Sequence, residues 1–220
     1  MLELLPILLN AKLNNMIALA ILAIAVIWLI CKIIPFDHKY IVKQGKHSFA
    51  PRRIGLDFRK SWQVHVSFDP SCKYDIGDDQ TDINKLFGVS YLSWKSIVFV
   101  VKSIAQAIEH KDIKLIKGLH HYNSWRLGWH YSPEIDKVVQ HYYCYVKGQR
   151  YPARLASIRR MQTGKVTIEK YKRGVFFTCG DLGTPLTIEA TFKGLPLKLG
   201  GYFGGNRTAP QHIEYYLKIK

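Results

Sequence analysis

HIEYYLKIK, His212 to Lys220, closes the chain with Ile213, Tyr215, Leu217 and Ile219 alternating against Glu214, Tyr216, Lys218 and Lys220. A period of two marks a strand with one face in a core and the other in water. Trp62, Val64, Val66 and Phe68 repeat it against Gln63, His65 and Ser67, as do Leu186, Ile188, Ala190 and Phe192 against Thr187, Glu189 and Thr191. KVVQHYYCYVK (Lys137 to Lys147), Val166 to Ile168 and Val175 to Cys179 are further runs of β-formers. Turns fall at Lys147-Gly148-Gln149, Arg173-Gly174 and Gly180 to Gly183. Seven or eight short strands at this spacing predict a mainly β fold, an antiparallel β-sandwich or jelly-roll-like domain.

One stretch breaks the pattern. From Ser93 to His110, Ile97, Val101, Ile104 and Ile108 recur at helical spacing, with Lys95, Lys102 and Glu109 elsewhere. This predicts one inserted amphipathic helix, within an insertion of about 92–119, whose apolar stripe packs on the domain. Self-association and contact with a bilayer are the other uses of such a face.

Met16 to Ile34 reads MIALAILAIAVIWLICKII, a run long enough to cross a hydrocarbon core as a helix. No small residues precede a cleavage site, so an uncleaved N-terminal transmembrane helix is expected, with residues 1–35 as the anchor. Lys39, Lys43, Lys46, Arg52, Arg53, Arg59 and Lys60 follow it, against Lys12 alone before it. That asymmetry predicts a single-pass protein of the inner membrane with its C-terminal domain in the cytoplasm. Residues 36–60 then read as a basic juxtamembrane connector and 61–220 as the sandwich. Cys72, Cys144 and Cys179, odd in number and without C-x-x-C spacing, fit reduced thiols.

The formal charge is +16, and only Glu3, Lys12 and Lys32 are charged in the first 35 residues, so the remainder keeps +15. Such an excess calls for an anionic partner: a nucleotide, nucleic acid or an anionic membrane face. The densest run spans Lys147 to Arg173, with nine basic residues against Glu169. Arg150, Arg154, Arg159, Arg160, Lys172 and Arg173 are the expected ligand contacts there, because guanidinium forks match phosphate oxygens. Interleaved tyrosines offer stacking surfaces. Arg126, flanked by aromatics in HHYNSWRLGWHY (His120 to Tyr131), is a further expected contact, with Trp125 and Trp129 as core anchors.

Three other segments carry less. DIGDDQTDIN (Asp75 to Asn84) holds four of the sixteen acids but lacks the order of an EF-hand loop, and reads as a solvated loop. GGYFGGNRTAP (Gly200 to Pro210) is no Walker loop; it reads as a tight approach before the last strand, with an anion nest as the alternative. The histidines of His120 to His130 have no zinc-ligand spacing. With no G-x-S-x-G, no H-E-x-x-H and no close carboxylate pair, the chain reads as no enzyme, with no metal and no cofactor.

Asn84-Lys85-Leu86-Phe87-Gly88, HHYNSWRLGWHY, YCYVKGQRY and YFGGNRTAPQHIEYYLKI together resemble a group of bacterial and phage proteins built as small β-sandwich, jelly-roll-like modules. The resemblance spans roughly 45–220, implies the fold, and carries no catalytic residue. An N-terminal membrane segment before a basic domain is also similar in architecture to CRISPR-associated membrane effectors that sense cyclic oligoadenylate. The expected function is therefore a membrane-anchored cytoplasmic sensor of a phosphate-rich ligand, such as a nucleotide messenger in antiphage defence, acting as a homo-oligomer. The alternatives are an interaction module of a membrane complex and an exported glycan-binding jelly-roll using Trp125 and Trp129.

Overall fold

The computed structural model describes residues 36–50, 55–158, 163–179 and 185–220. The expected transmembrane helix lies outside the described residues, and no described helix is long and apolar enough to cross a membrane. Residues 36–220 form one compact unit.

Eleven strands build two antiparallel sheets among the described residues. The first sheet has the order β1 (Phe36–Val42), β11 (Ile213–Ile219), β2 (Ser61–Phe68), β7 (Thr163–Tyr171), β8 (Gly174–Thr178), β9 (Leu186–Glu189). The second runs β10 (Leu195–Leu199), β3 (Asn84–Leu92), β4 (Asn123–Ser132), β5 (Lys137–Val146), β6 (Gln149–Ile158). The sandwich expected from alternation is present. The connector expected over 36–60 is corrected: its first residues are β1, paired with β11 from Phe36↔Ile219 to Val42↔Ile213. Basic residues hid this strand, because at an edge only one face has to be apolar.

The core lies between the sheets. Trp62, Val64, Val66 and Phe68 point inward from β2, and Ile213, Tyr215, Leu217 and Ile219 from β11. Trp125, Leu127, Trp129 and Tyr131 face them from β4. Trp62 and Trp125 meet edge to face at 4.7 Å, and Phe68 meets Trp129 at 5.1 Å. Two of these indoles have a job beyond area: Trp62 Nε1 donates to Asp57 at 3.1 Å and Trp125 Nε1 to the Tyr91 hydroxyl at 3.3 Å. Arg59 in turn holds the Asp57 carboxylate at 2.6 and 2.8 Å, which keeps the buried acid ionised and its pKa lowered against desolvation. Trp125 and Trp129 are thus core residues, as expected, and cannot be the contacts of the glycan-binding alternative.

The inserted helix, α1 (Trp94–Glu109), starts at a capping box between Ser93 and Ser96. Its orientation reverses the expectation. Ser96, Ser103 and Ala107 are its buried residues, while Ile97, Val101, Ile104 and Ile108 are exposed. The small face permits close approach to the short 3-10 turns Ile113–Leu115 and Leu119–His121. Phe99 fixes the helix laterally, with its ring 5.4 Å from that of Tyr122.

Replacement of Trp125 by Ala removes an indole from the sheet-to-sheet contact and is expected to cost about 3–5 kcal/mol in urea denaturation. Trp94→Ala on the exposed helix face should stay within about 0.5 kcal/mol of wild type in the same assay.

Candidate anion-binding pocket

Because side chains alternate across a strand, Trp125 inward means Arg126 outward. Arg126 therefore stands on the outer face of the second sheet, where its cross-strand neighbours are Gly88 on β3 and Tyr143 on β5. Gly88 is glycine for a reason visible here. A Cβ on it would lie 2.5 Å from Cγ of Arg126 and closer still to the Trp125 carbonyl. The missing side chain gives the arginine its bed.

A β-bulge sets the second cation. Pairing of β3 with β4 slips between Lys85 and Phe87, so Lys85 rather than Leu86 stands opposite Gly128. A regular ladder would put Leu86 outside and Lys85 in the core; the extra residue re-aims the pair. Lys85 Nζ lies 5.4 Å from the centre of the Tyr143 ring, and the Arg150 guanidinium lies 4.9 Å from it. One tyrosine thus serves two cations. Its hydroxyl is 2.9 Å from that of Tyr145.

Two segments wall the face into a cavity of about 550 Å³. One is the 3-10 turn carrying His120 and His121, whose rings sit 3.9 Å apart. The Ser124 hydroxyl donates to the His120 carbonyl at 2.6 Å, and His121 Nδ1 accepts from the Gly118 amide at 2.8 Å. The other wall is the glycine-rich loop, in which Tyr202 stacks on His47 at 5.0 Å with planes 4° apart. Lys85 and Tyr202 exchange backbone hydrogen bonds of 2.7 and 2.9 Å, pinning the loop to β3.

The loop is not an anion nest at its Gly204 and Gly205 amides. They donate to Asn84 Oδ1 at 2.5 Å and to Asp82 Oδ2 at 3.1 Å. Arg207 Nε reaches Asp79 Oδ2 at 2.8 Å. The acidic segment expected as a solvated loop is a brace for the pocket wall, and its Asp82 and Asp79 point at that wall.

The electrostatics are unusual. Arg126 is only 9% exposed, its Nε has no hydrogen-bond partner, and no carboxylate pairs with it among the described residues. Burial pulls its guanidinium down to about 10, still cationic at neutral pH. Burial also pulls Lys85 down to about 8, with Arg126 adding repulsion. His120 falls to about 3 through burial and then Arg126, and His121 to about 4 through burial and then Lys117. Both imidazoles are neutral at pH 7. The pocket therefore offers one permanent buried cation, one tunable ammonium, neutral imidazoles and tyrosine hydroxyls.

Of the residues expected from sequence, Arg126 lines this pocket and Arg150 flanks it. Arg154 lies on β6 with its backbone opposite His141. Arg159 and Arg160 lie outside the described residues. Lys172 and Arg173 form the turn between β7 and β8, in the other sheet. Arg173 lines a second cleft together with Lys147, and neither lines the pocket of Arg126, so the expected residues do not converge on one described cavity. Lys85, His121 and Tyr202 were missed, although Lys85 and Gly88 both sit in the NKLFG segment.

No family model matches the chain, and no curated protein matches it. Solved structures of similar architecture include the mouse laminin alpha1 chain, domains LG4-5, at 15% identity and TM-score 0.40, over 85% of this chain and 43% of that one. Alginate lyase A1-II', a member of polysaccharide lyase family-7, follows at 6% and 0.41, over 85% and 64%. Alginate lyase AlyC3 in complex with dimannuronate stands at 9% and 0.46, over 84% and 74%. The chain spans less than two thirds of the length of the first two. The expectation of no enzyme is corrected: alginate lyases stand among the solved structures of similar architecture, and missing sequence motifs do not exclude a site whose residues converge from distant strands.

Acid lability follows from the two imidazoles. Unfolded, they protonate near 6.5; folded, they stay neutral to about 4 and 3. The unfolded state binds more protons in that window, so stability falls as pH drops from about 6.5 toward 3. Replacing His120 by Gln and His121 by Asn should flatten the slope of unfolding free energy against pH over this range. For Lys85 the same reasoning makes stability rise with pH between about 8 and 10.5.

Proposed function

We propose that this pocket binds an acidic saccharide, with the carboxylate on Arg126 and Lys85 and the sugar ring against Tyr143 and Tyr202. The observation carrying the reading is the buried Arg126, whose Nε has no hydrogen-bond partner and which meets no carboxylate among the described residues. A guanidinium held out of water without a counter-charge is costly, and a ligand carboxylate supplies what the described residues omit. Two cations beside neutral imidazoles match one anionic group better than several phosphates. The tyrosine and histidine groups suit ring faces and hydroxyls, and the volume is in the range of small-ligand pockets.

The rival reading, a phosphate-rich messenger, draws on Arg150, Arg154, Arg159, Arg160, Lys172 and Arg173 acting together. It is weakened because Arg173 lines a different cavity from the one that holds Arg126. AlyC3 was solved with dimannuronate, an acidic disaccharide, which makes that compound the first probe.

Tethering of this domain to a membrane through Met16 to Ile34 belongs to the same proposal. Flank charge argues for the cytoplasmic side and a polysaccharide ligand for the other, so thiol labelling from each side is the test of orientation.

Calorimetric titration with dimannuronate, its methyl ester and ATP tests the ligand class. Binding of the acid with loss on esterification is the expected result; selective binding of ATP restores the messenger, and no binding of any discards the pocket reading. Arg126→Met should abolish binding while raising stability by about 0.5–2 kcal/mol, because it removes an uncompensated buried charge. A variant that loses stability instead would make Arg126 a structural residue.

A further inference from the structure

The outward face of α1 is exposed and takes no part in the pocket. Trp94 is 75% exposed, Val101 59% and Ile108 73%, and Ile113 beyond the helix end is 80% exposed. Trp94, Ile97, Val101, Ile104 and Ile108 follow spacings of three and four and form one stripe along the helix. Soluble surfaces rarely leave so continuous an apolar strip to water. Lysines surround it: Lys95, Lys102, Lys111, Lys114 and Lys117, against Glu109 and Asp112 as the acids of the segment 94–121.

A cleft of about 790 Å³ opens at the N-terminal end of the helix. Trp94 and Tyr122 line it together with Lys95, Lys147, Arg173 and Lys193, with Glu189 as its acid. Indole and phenol rings at the edge of an apolar strip, with ammonium groups alongside, are what the boundary between acyl chains and anionic headgroups takes. The charge of the rim decides between occupants. A second copy would bring the same lysines against these, and repel; an anionic bilayer complements both the strip and its rim.

We infer that α1 is an interfacial helix, which lays Trp94, Val101 and Ile108 into the surface of an anionic bilayer and places headgroup phosphates among Lys95, Lys147, Arg173 and Lys193. The sequence adds an independent reason. The apolar run Met16 to Ile34 ends two residues before Phe36, the first residue of β1, so a chain anchored by that run is held beside a membrane. This second argument rests on the membrane reading of the run; the helix surface stands without it.

The test uses the full chain in vesicles, with Cys31 replaced by Ser and a fluorophore on Val101→Cys; the described cysteines Cys72, Cys144 and Cys179 are buried. Ile108→Cys is a second label site, and Tyr216→Cys, exposed on the other sheet, is the control. In phosphatidylglycerol vesicles the Val101 and Ile108 labels should be quenched by doxyl lipids and shielded from aqueous iodide, while the Tyr216 label shows the reverse. Lys95→Glu with Lys102→Glu should lower that lipid quenching several-fold. Equal iodide access with anionic and zwitterionic lipid would overturn the inference. Shielding from iodide without lipid quenching would also overturn it and assign the face to a second copy. Co-sedimentation of the labelled chain reports the anchor separately, so failure of the tether and failure of the helix contact are told apart.

Discussion

The contact between Trp62 and Trp125, one from each sheet, is the constraint on which the site depends. It joins the middle of the two layers, and hydrogen bonds from both indoles to Asp57 and Tyr91 fix its geometry. Once Trp125 is locked inward, the pleat leaves Arg126 no choice but the outer face. Gly88 then supplies the space the arginine occupies, and the β3 bulge rotates Lys85 to the same side. Three features that look unrelated in the sequence (an indole, a glycine and an irregular register) are therefore one construction. A register slip by a single residue would bury both cations.

That construction stores an electrostatic debt. The sandwich gains from burying Trp62, Trp125, Trp129 and the aliphatic rows opposite them, roughly 1.5–3 kcal/mol for each fully buried apolar side chain. Against this stand a guanidinium with no carboxylate beside it among the described residues and two imidazoles that stay neutral until the solution is strongly acidic. Asp82 favours the charged form of Lys85 through space, while its Oδ2 accepts from the Gly205 amide and braces the wall. Arrangements that leave charge unbalanced inside an otherwise well-packed domain mark sites of ligand contact more often than sites of stability.

Much of the scaffold was legible and much of the site was not, for physical reasons. β2 and β11 alternate strictly because one face of each is core and the other water, and both were read with nearly correct bounds. β4 was not read as a strand. Its outer face carries Arg126 in a walled pocket and Gly128 beneath Ile83, so both faces are buried and the alternation of polarity vanishes. β6 was hidden by its basic residues, which a linear count joined to Lys172 and Arg173 although a sheet crossing separates them. The helix over Ser93 to His110 is legible as helix, but the burial expected for its apolar stripe is inverted. Periodicity identifies an apolar stripe; it does not say that the domain is what covers it.

The helix and the pocket are joined through one short segment. Phe99 of α1 rests on Tyr122, and the residues immediately before Tyr122 are His121 and His120, which wall the cavity. Behind Phe99, Gly148 at the β5–β6 turn has no room for a side chain, since a Cβ there would approach the phenyl ring to 2.8 Å. The helix is thus seated against the rim of the sheet rather than over its core, held by Ser103, whose Oγ accepts from the Lys117 amide at 3.0 Å, and by that one aromatic contact. Such seating has few buried apolar contacts and belongs to the less stable part of the fold, whereas the cations rest on β3 and β4 in its interior. The cations of the pocket are therefore set by the sandwich, and its histidine wall is held both by Ser124 of β4 and, through Tyr122, by the helix.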